Sequence, residues 1–187
     1  MRWHIRLHLW ACFMVLLLMA GSLFALAWVA FTPPTARVIY NASDSVPMGW
    51  YRVTPLDDIS ATQPDAIAVD SIVLTRLPAS VAILADQHGY LPLQVPLLKR
   101  VGAVAPEHVC ISGGNVRIDG VQVAAILPVD AQGRPLPVWQ QCRPLVDDEL
   151  FLLSNTTPAS FDSRYFGPVR RKALLGTAHR LTLESMP

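Results

Sequence analysis

The sequence predicts a mainly β domain, a barrel or sandwich, carried on one N-terminal membrane helix. Three observations lead there. Residues 9–31 carry no charge and are long enough to cross a bilayer. Beyond them, short β-branched and apolar runs alternate with Gly, Pro, Asn and Asp, the pattern of strands and turns. Sixteen prolines are spread along the chain, which suits turns and strand edges and opposes helix interiors.

The anchor comes first. As a helix rising 1.5 Å per residue, residues 9–31 span roughly 34 Å against a hydrocarbon core of about 30 Å. Trp3 and Trp10 sit near one end and Trp28 near the other, as interfacial aromatics do. Arg2 and Arg6 precede the run and only Arg37 follows closely, so the positive-inside bias leaves 1–8 as a cytoplasmic tail and puts 32–187 outside. A cleaved signal peptide is the competing reading, with Ala25-Leu26-Ala27 as its cleavage site. Its apolar stretch is usually only about 7–15 residues, which favours retention.

The outer domain then follows element by element. Thr32-Pro33-Pro34-Thr35 breaks the helix and forms a stiff spacer. Strands are expected at 37–40, 50–53, 66–77, 97–104, 108–111, 115–118, 121–123, 150–153 and 172–183. Asp119-Gly120, between Ile118 and Val121, is a hairpin turn. Residues 79–87 read as a short helix ending near Gly89.

Composition excludes several classes. With 187 residues the chain builds one modest domain rather than two large ones. Fifteen Lys and Arg against fourteen Asp and Glu leave no basic excess for tracking phosphates, so no nucleic-acid partner is expected. At 52% hydrophobic residues the chain is too apolar for disorder. Cys12 lies within the anchor, while Cys110 and Cys142 form an even pair in a compartment that permits disulfides. Closing about 33 residues would stabilise the domain by roughly 3–4 kcal/mol; two separate buried thiols are the alternative. Without a Cys-x-x-Cys or clustered histidines these cysteines cannot complete a metal site, and no cofactor is expected.

Three stretches hold candidate chemistry. Only Lys99 and Lys172 are lysines, and Lys99 ends the apolar run from Leu91 to Leu98. Buried there, its ammonium would lose solvation and its pKa would fall, giving a general base; exposed at a strand end, it would only snorkel. Asn41-Ala42-Ser43-Asp44-Ser45-Val46-Pro47-Met48-Gly49 follows the first predicted strand. It is either an ordinary polar turn or a corner presenting Ser45, with Ser43 beside it, as a nucleophile. In Ser160-Phe161-Asp162-Ser163-Arg164-Tyr165-Phe166-Gly167-Pro168, Asp162 and Arg164 can pair as a turn staple or as the brace of a site, and Ser160 can aim a neutral amine. His88, His108 and His179 sit in no catalytic motif, and no Gly-x-Ser-x-Gly elbow occurs.

Together these stretches resemble the type I signal peptidases, most closely their conjugative-transfer (TraF-type) branch. Ser43-x-Ser45-x-Pro47-x-Gly49-Trp50-Tyr51 is similar to the nucleophile box, and Lys99-Arg100-Val101, continued by Gly102 to Pro106, to the general-base box. The stretch from Ser160 to Pro168 is similar to the final signature, and Gly133-Arg134-Pro135-Leu136-Pro137 points to the conjugative branch. The resemblance implies a signal-peptidase-like β fold with Ser45 as nucleophile and Lys99 as base. It implies an oxyanion hole from Ser43 and the Ser45 backbone N–H, Ser160 orienting the lysine, and Asp162 and Arg164 bracing the site. There is one departure: Leu153-Ser154-Asn155-Thr156-Thr157-Pro158 stands where general signal peptidases carry Gly-Asp-Asn.

The implied partners are the lipid bilayer and a membrane-inserted precursor, pilin-like or signal-peptide-bearing. The implied place is a bacterial inner membrane, single-pass, with the catalytic domain in the periplasm. A general signal peptidase I and a non-catalytic β scaffold in a secretion or pilus assembly are the alternatives.

Overall fold

The computed structural model describes residues 2–31, 38–56 and 67–182. The chain divides into two compact units, Met1–Thr35 and Ala36–Pro187. The predicted spacer at 32–35, Arg37, Ala66 and Leu183 lie outside the described residues.

In the first unit a single helix, α1, runs Arg2–Phe31. From 13 to 28 its described side chains are all exposed, Leu16 by 63% and Phe24 by 69%. The hydroxyl of Ser22 is not left without a partner: it donates to the Leu18 carbonyl at 2.8 Å. Among the described residues no helix is long and apolar enough to cross a membrane. The fold thus supplies a long N-terminal helix, and the membrane span expected at 9–31 is not shown among the described residues.

The second unit holds two antiparallel sheets. Its strands are β1 (Val38–Asn41), β2 (Gly49–Pro55), β3 (Ile72–Thr75), β4 (Leu97–Val104), β5 (His108–Ser112), β6 (Asn115–Ile118), β7 (Val121–Ala125), β8 (Cys142–Pro144), β9 (Glu149–Leu152), β10 (Val169–Arg170) and β11 (Leu174–Arg180). Helix α2 (Ala79–Gln87) follows β3, and the one-turn α3 (Ser163–Phe166) precedes β10. The larger sheet has the order β1-β2-β11-β3-β4-β9-β10, and the smaller one β7-β6-β5-β8.

Strand β4 is the hinge of the larger sheet. Its first half pairs with β3, Val73 opposite Lys99, and its second half with β9, with a register shift between Val101 and Ala103. Gly102 sits at that shift because a Cβ there would lie 2.7 Å from the Cβ of Leu153. On one side of this sheet Val73, Val101, Leu150, Leu152 and Val169 are buried together; elsewhere Val46, Tyr51, Val53, Leu74, Leu98 and Ala178 form a second cluster. Burying such side chains contributes about 1.5–3 kcal/mol each. A third cluster, around Val109, Val116 and Phe151, covers the small sheet.

Several expected elements need adjusting. The strand expected at 66–77 is only Ile72–Thr75, since Asp70 takes a positive φ of 72° and turns the chain just before it. The strand expected at 172–183 starts at Leu174, after a 3-10 turn at Arg171–Ala173. Asp119 and Gly120 both have positive φ, 49° and 83°, as a two-residue hairpin of the I′ type requires. Cys110 and Cys142 are register partners across β5 and β8, their sulfurs bonded at 2.14 Å.

Candidate active site

The loop between β1 and β2 is built around Asn41, the last residue of β1. Its amide nitrogen donates to the carbonyls of Ser43 at 2.8 Å, Val46 at 3.0 Å and Pro47 at 3.3 Å. Its side-chain oxygen accepts the Ser43 N–H at 3.2 Å and the Ser43 hydroxyl at 2.9 Å. One buried side chain thus closes the whole loop upon itself, as asparagine does in turns. From below, Val46 plugs the core and the Tyr51 hydroxyl donates to the Pro47 carbonyl at 2.6 Å. The corner that results holds Ser45 at 5% exposure, its Oγ 3.1 Å from the Ser43 Oγ.

Lys99 reaches the same region from β4. It is 4% exposed, and Nζ donates to Ser160 Oγ at 2.7 Å. Burial pushes the amine pKa down from 10.5 to about 8. The Asp162 carboxylate pulls it back up, Arg164 pushes it further down, and Asp44 raises it. At that value about a tenth of the amine is neutral at pH 7, against well under a thousandth for a free lysine.

Ser160 is held in turn by its neighbours. Arg164 and Asp162, 1% and 0% exposed, are joined bidentately, Nε to Oδ1 at 2.8 Å and Nη2 to Oδ2 at 2.9 Å. The remaining guanidinium protons go to the carbonyls of Ala125, Pro158 and Ser160 at 2.9, 3.0 and 2.9 Å. All five donors are therefore satisfied, the condition under which a buried ion pair is tolerable. Asp162 also caps α3, and Ser163 Oγ accepts the Leu152 N–H at 2.9 Å, tying this turn to β9.

These groups meet at a cavity of about 490 Å³ whose lining includes Ser43, Asp44, Ser45, Lys99 and Ser160. Its other walls are largely apolar, among them Ile39, Leu74, Leu98, Tyr90 and Phe161. Ser45 and Lys99 line it together without a direct hydrogen bond between them; the recorded side-chain partner of Ser45 is Ser43 and that of Lys99 is Ser160. No histidine lines the cavity. Among the described residues no three His, Cys, Asp or Glu group to hold a metal ion.

Four further residues shape this site, and sequence reasoning passed over all of them. Asn41 was only a turn residue by type. Ser154 and Thr156, in the stretch that departs from Gly-Asp-Asn, bond the β1–β2 loop: Ser154 Oγ donates to the Ser45 carbonyl at 2.8 Å and Thr156 Oγ1 to the Asp44 carbonyl. Tyr90, a wall of the cavity, donates to Asp130 at 2.5 Å, and Arg134 holds Asp130 at 2.6 Å. The Gly133-to-Pro137 stretch thus buttresses the cavity from the outside.

Residues 7–182 match the family described as signal peptidase, peptidase S26. The chain belongs to this family. Among curated proteins it is similar to a plasmid transfer protein TraF of Escherichia coli, 30% identical over 162 residues covering 83% of this chain and 86% of the relative. A probable conjugal transfer protein TraF of Sinorhizobium fredii is 31% identical over 75% of this chain and 74% of its own. A conjugal transfer protein TraF of Agrobacterium tumefaciens is 30% identical over 87% and 92%. Among solved structures, a signal peptidase I from Enterococcus faecalis is similar at 20% identity and a TM-score of 0.37, covering 62% of this chain and 96% of its own. The chain is thus a signal-peptidase-type peptidase similar to conjugal transfer proteins.

Proposed function

We propose that this signal peptidase relative is a serine endopeptidase with a Ser45/Lys99 dyad. Neutral Lys99 takes the Ser45 proton as the hydroxyl oxygen attacks a peptide carbonyl, and the C–N bond breaks to give an acyl-enzyme. The protonated amine gives its proton to the leaving amine. Water, or the N-terminal amine of the acyl fragment itself, then displaces Ser45 from the ester; the second route would close that fragment into a cyclic peptide. The observation that carries this reading is the Lys99 amine itself: buried, aimed by Ser160, lowered to about 8 and lining the same cavity as Ser45.

The oxyanion is received by the Ser45 N–H and the Ser43 hydroxyl. Ser43 has one proton to give, and Asn41 Oδ1 lies 2.9 Å away to accept it. Ser43 therefore turns from Asn41 to the oxyanion as charge develops, and removing such a donor commonly costs about 10²–10³ in rate.

The substrate is a precursor whose scissile bond follows a membrane-inserted signal segment, and the similarity to conjugal transfer proteins points to a conjugative pilin. Residues 13–28, apolar around the whole helix, suit a lipid setting better than a half-buried one, in line with an anchor retained in the inner membrane and a periplasmic domain. The test is to incubate the full chain with a candidate pilin precursor and weigh the product, which reports cut site and linear or cyclic form together. Ser45→Ala and Lys99→Ala abolish processing if the dyad is correct. Retained processing in both overturns the dyad, no processing by the wild type identifies a scaffold, and equal cleavage of diverse exported precursors identifies a general signal peptidase.

A further inference from the structure

We propose that Ser154 and Thr156 clamp the two peptide groups flanking Ser45 and thereby aim its backbone N–H, making them positioning residues for the oxyanion. The proposal rests on Ser45 being the nucleophile.

A trans peptide group is planar, with its C=O and N–H pointing in opposite directions. The carbonyl of Asp44 and the N–H of Ser45 belong to one such group. Thr156 Oγ1 donates to that carbonyl, so the grip on one side fixes the direction of the donor on the other. The following peptide group, which carries the Ser45 carbonyl, is held by Ser154 Oγ at 2.8 Å. Asn41 does not do this work: its amide reaches the carbonyls of Ser43, Val46 and Pro47, leaving those of Asp44 and Ser45 to the distant turn. Among the described residues no backbone carbonyl outside the helices and strands accepts the Ser45 N–H.

Proton accounting agrees. Each hydroxyl has one proton and lies within reach of a carbonyl of the β1–β2 loop, and the two hydroxyl oxygens lie 3.0 Å apart, so the two side chains form one linked pair. Ser154 Oγ also accepts from the N–H groups of Thr156 and Thr157 at 3.3 and 3.4 Å. Donation to a carbonyl also polarises the amide beyond it, which strengthens the opposite N–H as a donor. The clamp is itself anchored: the Ser154 N–H donates to Asp162 Oδ2 at 3.1 Å, so the pair that braces the lysine side also braces the serine side.

The experiment compares Thr156→Val, Thr156→Ser and Ser45→Ala in the full chain, using a peptide with a small-residue A-x-A signal-type cut. Thr156 is exposed, so the isosteric valine leaves the melting temperature close to wild type. The clamp predicts that Thr156→Val lowers kcat about 10-fold or more with KM within about 2-fold, and that Thr156→Ser restores it. Ser154→Ala lowers kcat in the same way, with its melting temperature recorded alongside because the residue is buried. Inactive Ser45→Ala with a wild-type kcat in Thr156→Val overturns the clamp alone. Full activity in Ser45→Ala overturns the clamp together with the dyad beneath it.

Discussion

The Lys99 amine nitrogen lies 2.7 Å from the Ser160 hydroxyl oxygen, and both side chains are almost wholly buried. This bond restrains a four-carbon side chain whose rotamer freedom would otherwise scatter the amine. Ser160→Ala removes an acceptor from the ammonium form. It should lower kcat about 10- to 100-fold and move the pH limb of kcat/KM to lower pH, a combination that loss of folding alone would not produce.

The pH profile of the wild type follows from the same amine. In the proposed mechanism Lys99 must be neutral to act, and burial lowers its pKa to about 8. The rate constant kcat/KM should therefore rise with pH and level off above about 8. At pH 6 it should stand about 100-fold below the plateau.

Stability should follow pH through the same group. The folded value, about 8, lies below the unfolded one of 10.5, so between them the unfolded chain binds more protons. Unfolding free energy from this group is therefore gained as pH rises across that window, by on the order of 3 kcal/mol. Lys99→Met should lack this gain and be the more stable protein at pH 7, as denaturant titration at pH 7 and 10 would read.

Asp162 and Arg164 should have opposite signatures on that limb. The carboxylate raises the Lys99 pKa and the guanidinium lowers it. Asp162→Asn should shift the limb to lower pH and Arg164→Met to higher pH. Each should also cost about 3–5 kcal/mol in unfolding free energy, since each strands a buried partner.

The bond between Cys110 and Cys142 should matter to stability and not to chemistry. It closes a separation of 32 residues within the small sheet, and neither cysteine lines the cavity. Replacing both by Ser should lower stability by about 3–4 kcal/mol while kcat of the folded enzyme is unchanged.

What could be read in advance was local. The bounds of β4 follow from its apolar and β-branched residues on both sides of Lys99-Arg100, and the end of α2 from Gly89 just beyond it. The Asp119-Gly120 hairpin follows from turn chemistry. Strands β8 and β10 are three and two residues long, too short to show a period, and owe their form to their partners β5 and β9. In the site, Ser45, Lys99 and Ser160 stood out through ordered boxes, whereas Ser154 and Thr156 did not. Their bonds to Ser45 and Asp44 join residues 109 and 112 positions apart, and no local pattern records such pairing.

The most direct test of the Ser45/Lys99 account is mass analysis of the acid-quenched enzyme during turnover of a signal-bearing precursor. The account predicts an ester adduct on the peptide containing Ser45, absent in Lys99→Ala. Normal turnover in Ser45→Ala, or an adduct on another residue, would contradict it.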